Sequence, residues 1–156
     1  MNTAPQQFLA LSSAKLRSDM ALIRRCLEGM DRQSVWARPN SASNSPANLC
    51  LHLAGNLGQL IGHAVAGGPD TRSREAEFSA SAGPDAAQLC SILQDAVDSA
   101  AAIIAGLPTD RLNDSVEFRG RQWTRLEIIY QAVEHFALHT GQIIYIAKST
   151  DTIPLS

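Results

Sequence analysis

Residues 124–148 read as one long helix that is apolar on two sides. Thr124 followed by Glu127 makes a capping box, in which each side chain satisfies a backbone N–H that the helix start leaves open. Leu126, Ile129, Tyr130, Val133, Ala137, Ile144 and Ala147 form one apolar face. Ile128, Ala132, His135, His139, Ile143 and Ile146 form a second, on nearly the opposite side. A helix of this kind needs neighbours on both flanks, so it belongs at the centre of a helical bundle. The strip left for solvent is narrow: Glu127, Gln131, Glu134, Leu138 and Tyr145. Leu138 and Tyr145 on that strip hint at a subunit contact.

Three more helices supply the neighbours. The first spans about residues 6–30, where Leu9, Leu16, Met20, Ile23, Leu27 and Met30 make one stripe at bundle period. Lys15, Arg17, Asp19, Arg24 and Arg25 read mostly as its solvated surface. The second starts at Pro46, capped by Asn44 or Ser45, and continues through His63. Its glycines Gly55, Gly58 and Gly62 each cost about 1 kcal/mol of helicity relative to alanine, and they let another helix or a ligand come close. The third opens at Pro84-Asp85 and runs to about Gly106 on a clean stripe of Leu89, Ile92, Leu93, Ala96, Val97, Ala100, Ile103 and Ile104. Residues 31–45 read as a connection, with Trp36 covering one end of the core. Residues 70–83 read as a polar loop around Phe78, a lid, a binding loop or a mobile connection. Residues 116–123 read as a hairpin-like turn with Gly120 at its tip.

Length and charge narrow the function classes. A chain of 156 residues supports a single domain over 1–156 with one sizeable core. The net charge is −2 with no basic run, which argues against nucleic-acid or anionic-membrane binding. No run approaches the ~18 apolar residues of a membrane span, and the first twenty residues lack the pattern of a secretory signal. Cys26, Cys50 and Cys90 have no CxxC spacing and read as free thiols in a reducing compartment, so a cytoplasmic protein is expected.

His135 and His139 are four residues apart and so project from one helix face. That spacing is a common way to offer two nitrogens to one metal ion, although two histidines in a polar pocket would share it. Both face inward among isoleucines, where buried imidazoles need hydrogen-bond partners or a metal. On the second helix His52, Asn56, Gln59 and His63 share a face. His52 is a natural third ligand. His63 lies about 16 Å along the axis from it and cannot join the same ion. Three histidines with open positions suit Zn, Ni or a similar divalent ion and leave room for water or substrate.

The stretches LHLAGN (His52) and EHFALHTGQI (His135, His139) resemble the DinB-like/YfiT-like superfamily. REAEF and HTGQIIYIAK are similar to a branch with no assigned activity. The resemblance covers about residues 6–148. It implies an all-α, up-down-down-up four-helix bundle, often a homodimer, in which His52, His135 and His139 hold a divalent metal. It also implies the chemistry of relatives that include bacillithiol or mycothiol S-transferases and a mycothiol-dependent maleylpyruvate isomerase. A low-molecular-weight thiol would then join the metal as cofactor.

The leading expectation is therefore a metal-dependent enzyme acting on a small molecule, a thiol S-transferase or hydrolase. Asn56 and Gln59 are placed to orient a ligand, and Arg72 or Arg74 to meet a carboxylate. The alternatives are a non-catalytic metal- or small-ligand-binding dimer and a plain bundle with core histidines.

Overall fold

Each long helix begins on a side chain that closes its first turn. A computed structural model describes residues 2–150. Thr3 caps α1 (Ala4–Glu28), and after it comes the short α2 (Arg32–Trp36). Ser45 caps α3 (Pro46–Leu57), which runs on into a π-helical segment, Gly58–Val65. The loop that follows holds α4 (Arg74–Ser79). Asp85 caps α5 (Ala86–Gly106). A two-stranded antiparallel hairpin, β1 (Ser115–Phe118) with β2 (Arg121–Thr124), leads into α6 (Arg125–Ser149), capped by Thr124. All four long helices carry a full capping box, with Gln6, Asn48, Gln88 and Glu127 as the reciprocal partners.

The four long helices form the bundle. α1 packs on α5 and α6, and α3 packs on the same two, so α1 and α3 face each other across a diagonal. Leu16, Met20, Ile23 and Leu27 meet Leu49, Leu53, Leu89, Leu93, Ile129 and Phe136 in one continuous core. Full burial of each such side chain stabilises the fold by about 1.5–3 kcal/mol before entropy is counted. By length and mean hydropathy (21 residues, 1.4) α5 is apolar enough to cross a membrane, which the run-length reading of the sequence passes over. In this fold its stripe of Leu89, Leu93, Val97 and Ile104 is buried in the core formed with α1 and α3.

Four local expectations change. Ile92, on the expected apolar stripe of α5, is exposed. Asp19 is buried rather than solvated: Lys15 Nζ lies 2.5 Å from its Oδ1, and Oδ2 has no partner among the described residues. Leu126 and Tyr130 are exposed, whereas Ile129 of the same expected face is buried, so that face is only partly covered at the start of α6. The 70–83 stretch is not all loop, since α4 packs against α3. Leu138 and Tyr145 are exposed as expected. Trp36 donates its indole N–H to the Pro84 carbonyl at 3.0 Å and lies against Gly83, closing one end of the bundle.

Candidate metal centre

α3 and α6 bring three imidazoles together in the middle of the bundle. His135 and His139 lie one turn apart on α6 with their rings nearly perpendicular, and His52 comes across from α3. His52 Nε2 and His139 Nε2 each lie 3.1 Å from His135 Nε2, and one nitrogen from each ring falls within 4.8 Å of the others. Nitrogens bound to one ion at about 2.0–2.1 Å are held about 3 Å apart, so this spacing suits a shared metal.

The outer nitrogens decide the tautomers. His52 Nδ1 lies 2.9 Å from Glu77 Oε2, and an ionised carboxylate only accepts, so Nδ1 carries the proton. His139 Nδ1 lies 2.6 Å from Gln142 Oε1, an amide oxygen that also only accepts. Both Nε2 atoms are then bare and point their lone pairs at His135 Nε2. A proton on His135 Nε2 would serve one of them well and the other poorly, whereas one cation serves all three. The buried His135 Nδ1 has no hydrogen-bond partner among the described residues. Burial, then the neighbouring His139, His52 and Arg72, pushes the His135 imidazole down to about 4. Burial likewise lowers His52, against the opposing hydrogen bond that it donates to Glu77. Neutral imidazoles are what a metal requires, and the donor set fits a divalent ion.

Behind His52 is a supporting pair, of which sequence reasoning singled out Arg72, for a ligand's carboxylate, and missed Glu77. Arg72 grips Glu77 with two hydrogen bonds, Nε to Oε1 at 2.8 Å and Nη2 to Oε2 at 2.9 Å. Only 3% of the Arg72 side chain and 9% of the Glu77 side chain are exposed. Burial alone would raise the Glu77 carboxyl, but the bonds from Arg72 and His52 outweigh it and hold the group below its ordinary range. A carboxylate on the far nitrogen of a ligating histidine fixes its ring and raises its basicity. The sequence signal that existed is Gly55: a Cβ there would lie 2.1 Å from Glu77 Oε1, so only glycine leaves the carboxylate its place.

The three histidines also line a cavity of about 500 Å³. Asn56 and Arg74 are on its wall. Gln59 is not: its Oε1 accepts from Arg72 at 3.0 Å and from Arg119 at 2.6 Å, and its Nε2 donates to Asp70 at 2.7 Å. Gln59 thus steadies two arginines that do face the cavity. His63 is apart from the centre, its Nδ1 2.6 Å from the Gly68 carbonyl, where it closes the turn after the π segment. A larger open cleft of about 600 Å³ between α1 and the start of α5 is remote from these groups.

The helical bundle is of DinB-like fold, and the three histidines that converge between two of its helices make a metal-compatible site. The structure is similar to that of a DinB-like protein from Bacillus subtilis, with a TM-score of 0.72 over 94% of this chain and 95% of that one; at 16% identity the likeness is one of fold. The chain belongs to the family described as "Protein of unknown function (DUF1572)", which matches residues 3–153. No curated protein matches it in sequence.

Proposed function

We propose that this protein is a divalent-metal-dependent enzyme that activates a small thiol for transfer to an electrophile. The observation that carries the reading is that three imidazole nitrogens meet on the wall of a cavity, so an ion they held would keep an open side for a ligand. When bound there, the ion lowers the pKa of a thiol or water and so supplies a nucleophile at neutral pH. The protein's own groups do the rest. Glu77 and Gln142 hold His52 and His139 in the tautomers that present lone pairs, and Arg72 keeps Glu77 ionised. Leu60, Phe118 and Ile128 give the cavity an apolar wall that limits water.

Thiol chemistry fits this wall better than hydrolysis. Water on such an ion has further to fall in pKa than a thiol, and a protein group that takes its proton as it attacks makes up the difference. Among the described residues that line the cavity there is no carboxylate, lysine, tyrosine or cysteine. Glu77, the nearest acid to the histidines, is committed to His52 and Arg72. A thiol depends less on such a base, because its pKa starts at about 8.5 against about 15.7 for water, and a smaller fall leaves it ionised at neutral pH. The second reading is a metal-dependent binding protein without turnover, since among the described lining residues only the three histidines, all held as ligands in this reading, could exchange a proton near neutral pH.

The test starts with elemental mass spectrometry of untagged protein. About one equivalent of zinc, nickel or a similar ion is expected, lost in His139→Ala while the helical circular dichroism stays. Full metal content in that variant removes the centre. Metal-loaded protein is then offered small thiols with a chlorodinitrobenzene electrophile. Turnover that tracks metal content supports the transferase, and thiol binding without turnover supports the second reading.

A further inference from the structure

The cavity over the histidines has a charge of its own. Its described lining includes three guanidinium groups, Arg72, Arg74 and Arg119, and no carboxylate, in a chain with more acidic than basic residues, 15 against 13. Arg72 is neutralised by Glu77. Arg74 and Arg119 have no carboxylate partner among the described residues. Each instead lies over an aromatic ring of the same wall, Arg74 Cζ 4.9 Å from the Phe78 centroid and Arg119 Cζ 5.0 Å from that of Phe118. A ring holds the planar fork in place without consuming its hydrogen-bonding donors, so those of Arg74, and those of Arg119 beyond the one given to Gln59, stay free for a ligand.

Two further observations are independent of that count. Arg119 has φ 53°, beside Gly120 at φ 75°, at the tip of the hairpin. Tight hairpins favour Asn, Asp or Gly at such a position, and an arginine there is strained. From that position its Nη2 donates to Gln59, 2.6 Å away, and so is tied to α3 across the fold. Asn56 is 6% exposed and lines the cavity, yet its side-chain amide makes no hydrogen bond to any described residue. An amide that opens onto a cavity without a protein partner leaves its donors and its acceptor to a ligand.

We propose that this cavity binds a small organic carboxylate with an apolar body, its anionic end held by Arg74 and Arg119 and its polar edge met by Asn56. The apolar body lies along Leu60 and Ile128. The inference rests on the metal-centre reading only for what lies next to the anion; the anion itself is read from other residues. It makes the thiol, or the electrophile it attacks, an acid.

The test uses phenylacetate and its neutral analogue phenylacetamide as probes, titrated by calorimetry into zinc-loaded and chelator-treated protein. Phenylacetate is expected to bind about tenfold or more tightly than the amide. Arg74→Gln and Arg119→Gln should each shrink that preference, and the double variant should abolish it, with zinc content and phenylacetamide binding unchanged. Arg119→Lys, which keeps the charge, should retain part of it. Equal binding of acid and amide overturns the proposal. So does a preference that survives in the double variant, since zinc alone would then be holding the carboxylate. An arginine-dependent preference in protein that never takes up zinc keeps the anion site and removes the metal reading instead.

Discussion

Gly55 is where a single hydrogen atom decides the geometry of the centre. An alanine Cβ would meet Glu77 Oε1 at 2.1 Å and Cδ at 3.1 Å, with Arg72 Nε at 3.4 Å behind them. The carboxylate cannot swing away cheaply, because both its oxygens are engaged by a buried guanidinium. Gly55→Ala should therefore weaken metal binding about 10- to 100-fold, the usual cost of losing an outer partner of a ligating histidine. Gly62→Ala is the matched control, since its Cβ meets nothing within 4 Å. Competition with a chromophoric chelator reads both variants, and equal affinities would show that Glu77 does not support His52. Residues of this kind were unevenly legible. His52, His135 and His139 could be read because helical spacing alone fixes which way they face. Glu77 could not: in a six-residue helix, which of Glu75 and Glu77 turns inward depends on how α4 packs against α3. Asp19 escaped for the same reason, as a polar residue that the neighbouring helices cover.

At the scale of elements, starts were easier to read than continuations. The capping box at Thr124 and Glu127 is a local chemical event, visible wherever those residues stand three apart. The π-helical segment Gly58–Val65 and the short α4 leave no such mark, since both depend on contacts made elsewhere in the chain. The α6 cap also carries a pH dependence. Hydrogen bonds from the Thr124 backbone and hydroxyl hold the Glu127 carboxyl below its ordinary value. A carboxyl lowered on folding adds stability that is present above its unfolded pKa and is lost as pH falls through the folded value. Thr124→Ala should cost about 1 kcal/mol at neutral pH. Urea unfolding should show the gap between variant and wild type narrowing in acid. A gap that stays constant from neutral to acidic pH would mean that Glu127 is not part of the cap's energy.

On the scale of the whole molecule, the core and the centre make separable contributions. The core is built from all four long helices, whereas the three histidines join only α3 and α6. That apolar core is continuous without any ion, so the chain should stay helical when metal is stripped. The ion's share should then appear as a linkage term, because it binds the folded chain, in which the three nitrogens are already assembled. At 100 times its dissociation constant a single-site ligand stabilises by about 2.7 kcal/mol. For a domain of this size that raises the melting temperature by about 5–10 °C. Calorimetry of chelator-treated protein with and without zinc measures the shift directly. His135→Ala should lose the response while keeping the helical spectrum, since it removes the nitrogen that both other histidines face. A wild-type protein that melts at one temperature in either state would show that the three imidazoles are held together by the bundle alone. The proposed thiol chemistry would then have no ion to act through.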